Sequence, residues 1–503
     1  MPFLLLVGLF FLLGFTPLLF IMSKSFFVAQ HFSFANYQAV FDSSYRVTLF
    51  EHSLLLSLLV TLLTLLLGLS FGILFAKTDL VFKKLFLSLF TLPLLLPPSS
   101  TAFAFSHLFG TWFFGFWGVV FMQVILYLPL TLLSTFLLLT TINPQLESAA
   151  RVMMPRLRVL TTVSLPLIFP SLLFMSTLVF LLSFGDYSIV NFLHYPTFVY
   201  NVFVEFSAFY HYNLSFALSF VLLFFILALL YFEHKFIQKR EYKNVSTPFA
   251  MQTKNPIYLG RYKLPLMLFL FVLLFFISIF PLLLLLFDVK HFSTFLKAFA
   301  LAQDSLIRSL LYATVGTLSI TFFGFVLAYS VHTKLFARSY LIDTFALVLF
   351  ALPSTLVGIA LLLFFNHSWS NFIYTSPLLL LIAYTLKYSA LSSRIFLAQL
   401  KQIPDSMQNA AKVLGINHLY RLFTITLPLV KNASLLSGIL SFILLLRDTD
   451  ITMLLINPGK ETLTLKTLTL MANSPSELIS ALHIIMIAFI IIPLTFLSLR
   501  IHK

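Results

Sequence analysis

Two acids stand at matching places in this chain. Asp186 lies twenty residues beyond Pro166, and Asp448 lies twenty beyond Pro428. About twenty residues is one α-helical membrane crossing, so both carboxylates are expected at the outer mouth of equivalent helices. There they would serve an outer gate or a docking surface for a protein; a solvated acid at a helix end is the plainer reading, and the favoured one. The other chemistry-bearing residues sit in two polar segments, INPQLESAARVMMPRLRVLTTVSLPLIFP and IPDSMQNAAKVLGINHLYRLFTITLPLV. The first offers Glu147, Ser148, Ala149, Ala150 and Arg151, the second Gln408, Asn409, Ala410, Ala411 and Gly415. Small residues flanked by polar ones let another surface approach closely, which is recognition chemistry rather than catalysis. The 12 histidines form no HxxxH or HExxH pattern, and the chain has no cysteine, so no metal site, disulfide or thiol nucleophile is expected. No G-x-x-x-x-G-K-[ST] phosphate loop occurs. The chain is therefore expected to be no enzyme and to hold no cofactor, with any ATP bound by a partner.

Both polar segments carry helix punctuation. Asn143 can cap a helix with Pro144 at its first position. Asp405 can cap the second, with Gln408 three residues on. Gly415 suits a left-handed C-terminal stop, whereas Met154 stands before Pro155, which disfavours helix in the residue preceding it. The next span is expected to open at Leu165-Pro166 and at Leu427-Pro428.

The elements that must position these segments are membrane helices. Of 503 residues, 60% are hydrophobic and 9% charged, against about 25% charged in a soluble domain. The 63 phenylalanines sit mostly inside Leu-rich runs, as lipid-facing bulk. Twelve apolar stretches are long enough to span: roughly 3–22, 53–76, 85–108, 117–140, 165–185, 214–232, 265–287, 306–331, 341–366, 376–398, 428–446 and 478–498. Continuous apolar runs fit helices and not barrel strands. The first, from Phe3, lacks a basic leader and a cleavage site and reads as an uncleaved span. With both termini in the cytoplasm, 23 of the 31 Lys and Arg fall on the cytoplasmic side, counting 387–431 as one of its loops. The net charge of +15 marks those loops rather than a nucleic-acid partner. Pro97-Pro98 and Pro353 are expected to interrupt helices.

The chain repeats itself. At an offset of 252, Ser57, Gly72 and Ala76 match Ser309, Gly324 and Ala328; Leu92-Pro93 matches Leu352-Pro353 at 260. Ala149-Ala150 matches Ala410-Ala411 at 261, and Leu165-Pro166 matches Leu427-Pro428 at 262. The expected fold is an all-α membrane protein of about 12 helices in two tandem parallel repeats. The first half covers 1–232, a basic cytoplasmic linker 233–264, and the second half 265–503. Parallel repeats related about the membrane normal place a pathway between the halves.

The pattern E-A-A-x-x-x-G, followed about a dozen residues later by L-P, resembles the signature loop of bacterial ABC importer permeases. The family's Glu position is Ser148 and Asn409 here, and its Gly position is Met154 and Gly415; Glu147 and Gln408 stand one residue earlier. The resemblance implies a type I importer fold in the inner membrane, with each loop a coupling helix seated on a cytoplasmic ABC ATPase, present in two copies. It also implies a periplasmic or lipid-anchored substrate-binding protein. Charge reversal at Glu147 or Arg151 is then expected to uncouple the complex. Fused permeases of this length resemble the iron(III) and thiamine group, and SFGDYSIVNFL and LRDTDITMLLINPGKETLTLKTLTLM resemble stretches of iron(III) permeases. Iron(III) is the expected substrate, with thiamine or a phosphonate-type compound as the alternative. A secondary transporter driven by an ion gradient is the rival of another class. It would want ionisable groups deep inside helices, whereas the charges here cluster at span ends.

Overall fold

The computed structural model describes residues 2–28, 31–238, 256–335, 338–403, 413, 415 and 417–501. Among these the chain is helical, apart from short connections and a two-stranded ribbon pairing Phe27–Val28 with His31–Phe32. Among the described residues seven helices are long and apolar enough to cross a membrane, or up to ten if each bent pair is one span. The two further expected stretches, 376–398 and 478–498, coincide with helices Leu378–Leu400 and Ser476–Ile501. The fold is all-α with tandem repeats, because Leu- and Phe-rich runs in lipid must satisfy their backbone groups internally.

Two compact units emerge, and they do not follow chain order. One gathers Phe41–Asn201 and Val221–Asp288; the other gathers Met1–Val40, Val202–Phe220 and Val289–Lys503. The leading helix α1 (Pro2–Ser25) therefore belongs with residues after 289, where it packs on α11 (Phe292–His332) and α13 (Ser354–Phe365). In the other unit the most extensive packing is between α2 (Ser44–Lys77) and α5 (Phe116–Thr141). After α8 (Phe198–Ser207) and α9 (Tyr212–Gln238), helix α10 (Gly260–Asp288) belongs to that unit and packs on α3 (Lys83–Leu95) and α4 (Pro98–Phe109).

The expected interruptions are present. Helices α3 and α4 meet at 96° across Leu96-Pro97, and α12 (Tyr340–Ala351) meets α13 at 97° across Leu352-Pro353. These breaks lie 256 residues apart. Two other contacts repeat with their earlier residue at the same spacing, the later residues, Phe198 and Leu463 or Thr131 and Ser392, lying 265 and 261 apart. The Ser53 hydroxyl oxygen accepts the Phe198 amide at 2.8 Å, and that of Ser309 accepts the Leu463 amide at 2.7 Å. A Cβ on Gly68 would collide with Thr131, and one on Gly324 with Ser392. The repeat register through this region is thus 256, correcting the sequence matches at 252 and 260 by one helical turn each. Gly72 and Leu92-Pro93 are not the partners of Gly324 and Leu352-Pro353. Leu-rich helices match almost equally well a turn out of register, and only a close approach or a break decides between them.

Neither Leu-Pro pair opens its span, contrary to expectation. Helix α7 (Arg156–Phe184) already runs from Arg156, with a π turn at Leu160–Ser164. A matching π turn occupies Leu422–Thr426, before Pro428, and a third Phe275–Ile279, before Pro281. In each, the residue preceding proline donates to the carbonyl five residues back: Leu165 to Leu160, Leu427 to Leu422, Phe280 to Phe275. Proline has no N–H and its ring crowds the carbonyl four residues back, and the wider turn accommodates both defects at the proline itself. The helix then runs on past Pro166 and Pro281, whereas after Pro428 it stops at Leu429 and the chain bends by 59° into Lys431–Arg447.

The sequence counts Lys387 both in the span 376–398 and in the cytoplasmic segment 387–431. It lies inside α14 (Leu378–Leu400) and is buried, and Arg394 lies further along the same helix, so the span assignment holds and the loop assignment does not. The Lys387 ammonium donates to the Leu352 carbonyl, at the point where α12 stops. A broken helix leaves carbonyls without intrahelical partners, and Lys387 supplies a donor.

Candidate functional site

The first polar segment forms α6 (Pro144–Met153), and its punctuation is as the sequence dictates. The Asn143 side chain accepts the Gln145 amide at 2.9 Å, and Pro144 takes the first helical position. At the far end Met154 is extended, with φ −142°, and Pro155 follows. The helix is strongly two-faced. Ser148 and Ala149 are exposed, Ala150 and Arg151 half-buried. Leu146, Met153 and, beyond the helix, Leu157 are exposed apolar side chains, and Val152 is 87% exposed.

Glu147 points the other way. Its Oε1 accepts the Lys77 ammonium at 2.6 Å and the Ser164 hydroxyl at 2.7 Å. Lys77, the last residue of α2, also donates to the Leu139 carbonyl near the end of α5, at 3.1 Å. One carboxylate thus fastens α6 to α2, α5 and the π turn of α7. Ser148, one residue on, turns its hydroxyl back onto the Pro144 carbonyl at 2.9 Å. Lys77 and Ser164 had no signal in the sequence; a lysine ending an apolar helix usually just snorkels to water.

In the second polar segment, Asp405, Gln408, Asn409, Ala410 and Ala411 lie outside the described residues. Gly415 has φ +70°, the left-handed stop expected of it. Val413 is helical and 87% exposed, and it lies 261 residues beyond Val152, the same offset that relates Ala149 to Ala410. Each repeat therefore presents the same bulky aliphatic side chain to solvent at the same position. Neither valine stands out in the sequence.

The two acids are engaged within the chain. Asp186 is half-buried and accepts Gln123 Nε2 at 2.9 Å, while Gln123 Oε1 accepts the Ser183 hydroxyl at 2.5 Å. Asp448 is buried, which corrects the favoured expectation of a solvated acid. It accepts the Tyr388 hydroxyl at 2.6 Å and the amides of Ile451 and Thr452 at 3.1 and 3.3 Å, capping the short helix Asp450–Leu455. A carboxylate buried under such partners is not presented to a docking protein. Among the described residues no cluster of three or more His, Cys, Asp or Glu could hold a metal ion.

The family model described as "binding-protein-dependent transport system inner membrane component" matches residues 68–240 and 320–503. Three curated relatives carry ferric-transport names. The chain is 26% identical over 372 residues to the putative ferric transport system permease protein FbpB 1 of Haemophilus influenzae, covering 68% of this chain and 57% of the relative. It is 24% identical over 352 residues to the ferric transport system permease protein FbpB of Actinobacillus pleuropneumoniae, covering 66% and 51%. It is 25% identical over 301 residues to the Fe(3+)-transport system permease protein FbpB 2 of Haemophilus influenzae, covering 57% and 56%. The chain spans little more than half the length of these relatives.

Proposed function

The chain belongs to the family of binding-protein-dependent transport system inner membrane components, and from that premise we propose that it is the fused permease of an ATP-driven importer of iron(III). Its two polar loops dock on the cytoplasmic ATPase, one ATPase copy to each loop. A substrate-binding protein delivers the cargo on the opposite face, and both termini lie in the cytoplasm. The observation that carries the docking reading is the pair Val152 and Val413, each 87% exposed at equivalent places in the two repeats. An aliphatic side chain left in water twice at one repeat position is what a buried contact with a partner requires. In this reading, closure of the ATPase pair moves the loops as levers and the spans rock between inward and outward access. Glu147 supports it from behind, because a lever must be fastened to the helices that it moves. The names of the three relatives support iron(III) as the cargo.

Two experiments test this. The chain has no cysteine, so Val152→Cys and Val413→Cys are unique thiols without further engineering. In the assembled transporter both are expected to crosslink to the subunit that azido-ATP labels. Absence of both adducts refutes the docking assignment. Uptake of labelled iron(III), set against labelled thiamine in a strain lacking the chain, tests the cargo; restored thiamine uptake alone refutes iron.

A further inference from the structure

The described end of the linker is strapped onto the unit that carries α6. Ile257 pairs with Thr78 in a short parallel bridge, its amide donating to Lys77 at 2.7 Å and its carbonyl accepting from Asp79 at 3.2 Å. The Asp79 carboxylate then accepts the Leu259 amide at 2.9 Å and the Lys263 ammonium at 3.0 Å. Arg156, at the start of α7, donates to the Pro256 carbonyl at 3.2 Å and lies 5.9 Å from the Tyr258 ring centre. This stretch of linker is thereby fixed beside the segment that follows α6. The outer surface so made is not a plain loop surface. Tyr258 is 72% exposed and Tyr262 and Leu157 are exposed with it, among Arg156, Arg158 and Arg261. Exposed aromatic and arginine side chains together are the composition of protein contact sites.

We propose that this strap, Ile257 to Lys263, extends the first docking surface, so that the ATPase touches the linker as well as α6. This rests on the reading that α6 docks on the ATPase. The occupant is chosen by continuity: Arg156 joins Tyr258 to Leu157, four residues past Met153, and a partner seated on Val152 and Met153 reaches them without a gap in the chain. The arginines require an acidic patch on that partner facing the strap, while Tyr258 requires an apolar one beside it. The strap also gives the linker a task beyond joining two repeats. It fixes a feature that the lever does not itself contain against the end of α2, from which Lys77 holds Glu147.

The assembled transporter again allows the test, because this chain brings no cysteine of its own. Tyr258→Cys, carrying a short photoreactive thiol reagent, is expected to form an adduct with the azido-ATP-labelled subunit, as Val152→Cys does. Adding Asp79→Asn removes a charge-assisted anchor of the strap; it is expected to lower the Tyr258→Cys adduct about tenfold and to leave the Val152→Cys adduct unchanged. An adduct at Val152→Cys without one at Tyr258→Cys overturns the strap while sparing the docking reading. Adducts at neither position overturn both. Labelling of Tyr258→Cys by lipid-phase reagents alone places the tyrosine in the bilayer interface and overturns the proposal as well.

Discussion

Glu147→Gln should loosen α6 without touching its exposed face. The carboxylate and the Lys77 ammonium are 2.6 Å apart, and their side chains are 12% and 9% exposed. Removing one partner from a buried ion pair costs about 3–5 kcal/mol, because the other charge is left uncompensated. Two features reduce that here: Lys77 keeps the Leu139 carbonyl, and the amide oxygen that the substitution leaves in place can still accept from Ser164. A cost of about 2 kcal/mol is the expected remainder. On the scale of about 2–4 °C per kcal/mol for a 150–250-residue unit, the midpoint should fall by roughly 4–8 °C. Circular dichroism of the purified chain in detergent reads this directly. Lys77→Met should behave alike, and Lys77→Met with Glu147→Leu should recover most of the loss, within about 1 kcal/mol of the native chain. If the single variants melt with the native protein, or if their losses simply add in the double variant, the pair does not fasten α6 and the reasoning fails.

Three further outcomes are expected. Gly68→Ala and Gly324→Ala should each destabilise by about 1–3 kcal/mol through overpacking against Thr131 and Ser392; equal melting of either variant and the native chain would contradict the close approach that sets the repeat register. Lys387→Met should cost about 1–3 kcal/mol by leaving the Leu352 carbonyl unpaired, and a neutral result in the same melting assay would remove its role at the helix break. The Leu259 amide, and then Lys263, hold the Asp79 carboxyl below its ordinary value. A depressed folded-state value means that the anchor's contribution is complete above the ordinary carboxylate range and fades as pH falls through the depressed value. Protection factors of the Ile257 and Leu259 amides, taken relative to the intrinsic exchange rate at each pH, should therefore stay high at mildly acidic pH and fall only below that range; low protection at neutral pH would show that Asp79 does not hold the strap.

Local chemistry was legible and partner choice was not. Asn143, Pro144, Pro155 and Gly415 act on the few residues around them, so their types alone fixed where the first loop helix starts and stops and where the second stops. Pro97 and Pro353 likewise stand at the two breaks expected of them. Glu147 was visible as an acid in a suggestive loop, but Lys77 is 70 residues away and nothing in either local pattern names the other. The π turns before Pro166 and Pro428 escaped because a Leu-Pro pair reads as a helix start in a sequence, and the turn before Pro281 escaped because the expected span 265–287 ran through it as plain α-helix. Val152 and Val413 escaped for another reason. A valine in a chain that is 60% hydrophobic carries no information until its exposure is known.

The placement of α1 and α10 bears on how such a chain can be made. A ribosome releases α1 long before residues 289–503 exist, so the first helix waits in the bilayer for a scaffold still to be synthesised. Splitting the polypeptide between residues 239 and 255 would give two fragments, each stranded without one of its own wall helices and each holding a helix owed to the other. Neither fragment is expected to accumulate when expressed singly, whereas co-expression should rescue both.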